Sequence, residues 1–123
     1  MAETRQSTTR NEELERRMLL FAASTIKKLE GTKSLSPRIA DQLTRSCSSV
    51  GANYAEANNA SSKTDFRNKV FIAKKEAAET RFWIDLVIEL TGDDSWKSSR
   101  QEVHELLMIL QAIINTMKEN SSK

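Results

Sequence analysis

The stretch that decides the fold is residues 42–90, QLTRSCSSVGANYAEANNASSKTDFRNKVFIAKKEAAETRFWIDLVIEL. It predicts two long helices separated by a polar break at residues 58–61, NNAS. Ser62 and Asp65, just after the break, have the spacing of a capping box, which favours a helix start there. Apolar residues then recur at helical spacing as far as Leu90, but several polar residues fall on faces that should be buried.

Further helices are predicted on both sides of this stretch. An N-terminal helix should begin near Thr9, where Thr9 and Glu12 have capping-box spacing, and should stop at Gly31. The pair Ser36–Pro37 predicts the start of the next helix, with Ser as N-cap and Pro at the first helical position. A fourth helix is predicted over residues 96–118.

Each of the four predicted helices has an apolar stripe. On the third and fourth helices, the spacing of the stripe residues alternates between four and three. In chain order, the stripes are Leu14, Met18, Phe21, Thr25 and Leu29; Leu43, Val50, Tyr54 and Ala57; Phe66, Val70, Ala73, Ala77, Thr80, Ile84 and Val87; and Val103, Leu107, Leu110, Ile114 and Met117. Seven-residue repeats and short loops predict an all-α, antiparallel up-down four-helix bundle.

The chain has 123 residues, enough for one domain. We expect residues 9–119 to form it, with a disordered N-terminus over residues 1–8 and a disordered tail over residues 120–123. The 19 basic and 17 acidic residues give a net charge of +2, which permits nucleic-acid binding without requiring it. No apolar run reaches the roughly 20 residues that span a bilayer, and the N-terminus does not resemble a signal peptide, so no membrane partner is expected.

Polar residues within the helices predict a network between the second and third helices. Glu76 and Glu79 project into an apolar arc beside Trp83, where carboxylates need cations or hydrogen-bond donors. On the second helix, Arg45, Asn53 and Glu56 are the matching polar residues, and Lys69 is a further candidate. A structural role in fixing helix register is the preferred interpretation of this network, and a ligand or catalytic site is the alternative.

The second helix is also unusually rich in small residues. Gly51 lies in the middle of it, with Ser48, Ala52 and Ala55 nearby. A glycine in this position costs roughly 1 kcal/mol relative to alanine. We therefore predict that another helix approaches closely at Gly51.

Motifs for catalysis and metal binding are weak. A di-iron centre in a helical bundle needs two Glu-x-x-His pairs, but His104 is the only histidine and follows Gln101. Cys47 is the only cysteine, which excludes an internal disulfide and a thiolate metal cluster and fits a reducing cytoplasm. It lies on an apolar stripe and is interpreted as a core residue. No enzymatic activity, metal or cofactor is therefore predicted.

Basic residues form two groups that could contact phosphates. Lys27 and Lys28 lie near the connection between the first and second helices. Four further residues make a stripe on the third helix, namely Lys63, Arg67, Lys74 and Arg81. The alternative is a solvated charged face, because acidic residues are interleaved with them.

The third helix has more apolar surface than one small bundle buries from one helix. At about 100° per residue from Phe66, the core stripe lies around 350°. Ile72, Trp83, Leu86 and Leu90 lie around 240°, whereas Phe71 and Phe82 lie near 150°. We predict that the extra face is buried against other subunits, because exposed apolar patches commonly mark interfaces. A central position of this helix in the bundle is the alternative.

The same stretch resembles the bacterial four helix bundle protein family, also described as 23S rRNA intervening-sequence proteins. The matching elements before the break are Gln42-Leu43, Arg45-Ser46, Ser49-Val50-Gly51-Ala52-Asn53 and Glu56-Ala57. After the break they are Ser62-Lys63, Asp65-Phe66, Ile72-Ala73, Lys75-Glu76-Ala77, Glu79-Thr80 and Phe82-Trp83. The family pattern has Leu after this Trp, where the chain has Ile84.

The resemblance implies a cytoplasmic homo-oligomer with no established enzymatic activity. A related branch, the accessory variability proteins of diversity-generating retroelements, forms a pentameric barrel that binds nucleic acid and reverse transcriptase, so a pentamer is expected. Three functional hypotheses follow: an oligomeric binding protein that contacts RNA or DNA, an adaptor that binds only another protein, and an enzyme that uses Glu76 and Glu79.

Overall fold

A computed structural model describes residues 10–122, which form four α-helices and one short 3-10 turn. In chain order, these elements are α1 (Arg10–Glu30), α2 (Pro37–Asn58), α3 (Lys63–Thr91), the 3-10 turn (Asp94–Trp96) and α4 (Lys97–Ser122). No strand occurs in the described part of the chain. The all-α fold class is confirmed.

Each helix packs against the next one in the chain. The α2–α3 and α3–α4 contacts are the most extensive, and α1 closes the ring against α4 through a much smaller contact. Cross-helix bonds show that neighbours run antiparallel, because residues early in one helix meet residues late in the next. Arg45 contacts Glu76, whereas Glu56, further along α2, contacts Lys69. The predicted up-down bundle is therefore confirmed.

The helix ends follow from local sequence. Ser36 and Pro37 occupy the N-cap and first helical position of α2. Ser62 caps α3, where its hydroxyl accepts a 3.0 Å hydrogen bond from the Asp65 backbone N–H. Gly92 ends α3 with a φ of 66°, a left-handed conformation that glycine adopts without a steric penalty.

The end of α4 and the start of α1 are the remaining predicted boundaries. α4 continues to Ser122, past the predicted helix end at Lys118, and no glycine or proline interrupts the sequence there. The N-cap at Thr9 and the disordered N-terminus were predicted for residues that lie outside the described part of the chain. The last residue of the predicted disordered tail, Lys123, lies outside it as well.

The core contains the predicted stripes of all four helices. Only Leu14, Phe66 and Met117 among the stripe residues are half-buried, and the others are buried. Cys47 also lies in the core, as predicted. Trp96, the largest fully buried side chain, packs from the 3-10 turn rather than from the start of α4.

Candidate functional site

Arg45 forms the centre of a charged cluster at the outer edge of the α2–α3 contact. Its guanidinium donates to Glu76 Oε1 at 3.1 Å and also to the Glu79 carboxylate. The Trp83 indole N–H donates to Glu79 Oε2 at 2.9 Å. Glu76, Glu79 and Trp83 follow one another at intervals of three and four residues, which places them on one face of α3.

Hydrogen bonds within the cluster favour the ionised forms of Arg45 and Glu79. The Trp83 hydrogen bond, with help from the Arg45 guanidinium, lowers the pKa of the Glu79 carboxyl group. The hydrogen bond to Glu79 raises the pKa of Arg45 in turn. The side chains of Arg45, Glu76 and Glu79 are 47%, 20% and 37% exposed, so in the single chain the cluster remains open to water.

Two other residues predicted for this network lie elsewhere. Glu56 accepts a 2.7 Å hydrogen bond from Lys69 Nζ, and these two residues form an ion pair that is separate from the Arg45 cluster. It follows Arg45 by eleven residues on α2, which separates the two along the helix axis by roughly 16 Å. The Asn53 amide donates to the Ser49 carbonyl of its own helix at 2.9 Å. The structure thus joins Arg45 with Glu76 and Glu79 but does not unite all five predicted residues.

Four cations define a second feature, the basic edge of α3, which consists of Lys63, Arg67, Lys74 and Arg81. This edge faces α4, since Arg81 Nη1 lies 2.9 Å from His104 Nδ1. Lys74 Nζ lies 5.2 Å from the centre of the Phe71 ring. Within residues 10–122, none of the four cations forms an ion pair with a carboxylate.

The other predicted cations, Lys27 and Lys28, lie away from this edge. They belong to α1, which packs mainly against α2 and to a smaller extent against α4. Lys28 Nζ donates to Ser95 Oγ at 2.6 Å and lies 5.3 Å from the centre of the Trp96 ring. Lys28 therefore helps to attach the 3-10 turn, whereas Lys27 is exposed.

The outer face of α3 leaves large apolar side chains in solvent. We call Ile72, Leu86 and Leu90 the aliphatic stripe, in which Ile72 and Leu90 are exposed and Leu86 is half-buried. Phe71 and Phe82 are exposed on the side towards the basic edge. Trp83, from the arc predicted at about 240°, is half-buried and packs against the core. The other residues of the two predicted arcs lie outside the core of the single chain.

Within residues 10–122, no group of three or more His, Cys, Asp and Glu side chains is placed to hold a metal ion. A surface depression of about 550 Å³ lies beside Trp83, but neither Glu76 nor Glu79 lines it. None of the described helices is both long enough and apolar enough to cross a membrane.

Comparison with known proteins identifies the family. The family model for 23S rRNA-intervening sequence proteins matches residues 12–115. The chain belongs to this family. A similar solved structure is that of a protein of unknown function from the S23 ribosomal protein family of Bacteroides thetaiotaomicron. It is 31% identical, with a TM-score of 0.76 over 82% of this chain and 97% of the other. No curated protein matches the chain significantly.

Some contacts of this intervening-sequence family member were not predicted from its sequence. Arg17 of α1 donates to both carboxylate oxygens of Glu102 at 2.7 and 2.8 Å and to Glu105 at 2.7 Å. These bonds connect α1 to α4 where the two helices have little other contact. Arg17 lies next to the apolar stripe of α1, which could have indicated that it contacts a neighbouring helix. Its charge did not show whether that helix was α2 or α4.

Proposed function

We propose that this family member is a non-enzymatic homo-oligomer that binds RNA or DNA through the basic edge of α3. The observation that supports this best is that all four cations of the edge lack carboxylate partners among the described residues. By contrast, three other cations at or beside α3 are each paired with a carboxylate, namely Arg45 of α2, Lys69 of α3 and Arg100 of α4. The basic edge therefore keeps its charge available for phosphates.

The dimensions of the edge suit a nucleic-acid backbone. Lys63 and Arg81 are eighteen residues apart, which corresponds to roughly 27 Å along the helix. Nucleic acid presents closely spaced phosphates, so cations along such a length can contact several of them. Each neutralised phosphate releases counterions, which makes salt-dependent affinity the expected signature.

The test is the salt dependence of binding to labelled RNA and DNA. The double variant Arg67→Gln/Lys74→Gln should bind more weakly and should lower the slope of log affinity against log salt by about 1 to 2. The matched control is Lys27→Gln/Lys33→Gln, which removes the same charge from exposed residues near the end of α1 and in the loop after it, away from the basic edge. Equal effects of the two double variants, or no binding to either nucleic acid at low salt, would contradict the proposal.

The aliphatic stripe supports self-association. Leu90 is 58% exposed on the outer face of α3, in line with Leu86 and Ile72. We expect a pentamer, the assembly implied by the resemblance to the accessory variability proteins. Leu90→Glu should reduce the mass of the particle measured by light scattering. Leu20→Glu is a suitable control, because Leu20 is 53% exposed on α1. An unchanged mass for Leu90→Glu would argue against this interface.

We propose a non-enzymatic function because Glu76 and Glu79, the candidate catalytic residues, are bound within the Arg45 cluster. A general acid needs a raised pKa, but the Trp83 hydrogen bond lowers the pKa of Glu79. Glu76 and Glu79 also share Arg45 as a partner. These contacts favour a structural role for the two carboxylates. A cytoplasmic location agrees with Cys47, a buried and unpaired thiol.

The second candidate function is an adaptor that binds another protein and no nucleic acid. The same aliphatic stripe supports it, because an exposed apolar surface can serve a foreign partner as well as a second copy. A monomer in solution that fails to bind RNA and DNA at low salt would favour the adaptor. An oligomer with salt-dependent binding would exclude it.

A further inference from the structure

We infer that the nucleic acid bound at the basic edge is single-stranded and that its unpaired bases stack on Phe71 and Phe82. The inference rests on the proposed function and specifies the class of ligand. Among the aromatic side chains of residues 10–122, only these two are exposed, at 44% and 59%. The other aromatic rings are buried or half-buried in the bundle.

Both rings lie close to cations of the basic edge along α3. Phe71 follows Arg67 by one helical turn and precedes Lys74 by three residues, and Phe82 is next to Arg81. At about 100° per residue, the rings lie only about 70° around the helix from the centre of the basic edge. A strand whose phosphates contact the cations therefore has its bases within reach of the rings.

This combination favours single strands over duplexes. Proteins that bind single strands without sequence preference join a positively charged groove to aromatic rings on which bases stack. In a duplex the bases are already stacked on one another and their faces are covered. An exposed phenyl ring can stack on a duplex base only after the base step is unstacked, which has an energetic cost. The rings therefore favour single strands, whose bases are already free.

Local contacts orient both rings. The ring centres of Phe82 and Trp83 are 5.3 Å apart, with an interplanar angle of 73°, which is an edge-to-face arrangement. Lys74 Nζ lies over one face of the Phe71 ring. A base on the opposite face of Phe71 would keep this cation close to its own phosphate.

The position of the rings separates them from the proposed subunit contact. The aliphatic stripe is centred about 75° further around α3, on the side towards α2. Self-association through Ile72, Leu86 and Leu90 leaves the opposite side of the outer face, with Phe71 and Phe82, next to the basic edge. The charge of that edge makes a polyanion a better occupant for this side than a second apolar surface.

The experiment compares a labelled pyrimidine strand of about 20 nucleotides, as RNA and as DNA, with duplexes of the same sequences. The variants are Phe71→Leu, Phe82→Leu and the pair together, which preserve an apolar side chain but remove the aromatic face. Each substitution should weaken single-strand binding at least about fivefold. Duplex binding and the salt slope should not change, because no phosphate contact is removed. Arg67→Gln/Lys74→Gln should weaken the binding of both single strands and duplexes.

The possible outcomes separate this inference from the proposed function. If the unmodified protein binds no nucleic acid, the proposed function fails and this inference fails with it. If it binds but the leucine variants bind single strands equally well, only the stacking is overturned. A loss of particle mass in the leucine variants would also overturn it, because the rings would then belong to a subunit interface.

Discussion

Gly51 lies directly against Met18 where α1 crosses α2: a Cβ atom at position 51 would stand 3.2 Å from the Met18 Cβ atom. This distance is shorter than ordinary van der Waals contact between carbon atoms. A mid-helix glycine costs about 0.5–1 kcal/mol relative to alanine. The close approach of α1 accounts for that cost and confirms that another helix lies near Gly51, as the small residues of α2 predicted.

Replacing this glycine with a larger residue should destabilise the bundle. We expect Gly51→Val to lower the free energy of unfolding by about 2 kcal/mol, because α1 must move to admit the side chain. Ala52→Val is the matched control, since Ala52 is exposed on the same helix. It should change the free energy by less than about 1 kcal/mol. Urea unfolding followed by circular dichroism measures both, and equal losses would contradict the close contact.

The sequence was sufficient for the fold because each helix has its own boundary signals and apolar periodicity. Ser62 and Gly92 mark the ends of α3 through short-range effects that involve only a few neighbouring residues. The stripe from Val70 to Val87 identifies the buried face without knowledge of the partner helix. Packing α3 against both neighbours then follows from its long apolar pattern.

The polar contacts were harder to predict, because they depend on how far one helix is shifted along another. Antiparallel packing places Glu56 opposite Lys69 and Arg45 opposite Glu79, and this axial offset is a tertiary property. The angular position of Asn53 suggested a cross-helix bond, but its short amide reaches its own helix backbone at Ser49. The angular position of a residue therefore predicted which face of the helix it lies on, but not which residue it contacts.

Inside the α2–α3 contact, a buried pair of hydroxyl groups should be energetically coupled. Ser46 Oγ and Thr80 Oγ1 lie 2.9 Å apart in a hydrogen bond, and both residues are fully buried. Ser46→Ala or Thr80→Val alone leaves one buried hydroxyl with a poorer set of partners, at a cost of about 1–2 kcal/mol. The double variant should lose less than the sum of the single losses.

A double-mutant cycle by chemical denaturation measures this coupling. The reference is Ser48→Ala combined with Thr80→Val, because Ser48 is exposed and bonds only to carbonyl oxygens of its own helix. That pair should be additive within about 0.5 kcal/mol. Additivity in the Ser46–Thr80 cycle as well would show that the two hydroxyl groups do not depend on each other.

The Arg45 cluster should make stability depend on acid pH through Glu79. The folded protein lowers the pKa of Glu79 from its ordinary value of 4.5, so its ionised form favours the folded state. This contribution is fully present above pH 4.5 and is lost as the pH falls through the folded-state pKa. Because the carboxylate is 37% exposed, solvent screening keeps the contribution below about 1 kcal/mol.

Unfolding of Glu79→Gln between neutral and acid pH tests this expectation. The variant should be less stable than the unmodified protein at pH 7, and the difference should shrink as the pH falls below 4.5. Glu89→Gln removes an exposed carboxylate from the same helix and is the matched control. A constant difference for Glu79→Gln across the pH range would mean that its pKa is not lowered by folding.

Cys47 should react with thiol reagents only when the bundle opens. Burial raises the pKa of its thiol to about 11, so at pH 8 only about one molecule in a thousand carries the reactive thiolate. The side chain is also fully buried in the core. We expect labelling by a disulfide reagent at pH 8 to be at least about 100-fold slower in native buffer than in urea.

Ser48→Cys in a Cys47→Ala background is the control, because it places a thiol at an exposed neighbouring position and should label quickly without urea. Fast labelling of Cys47 in native buffer would show that the α2 core opens readily, contrary to the packing described above.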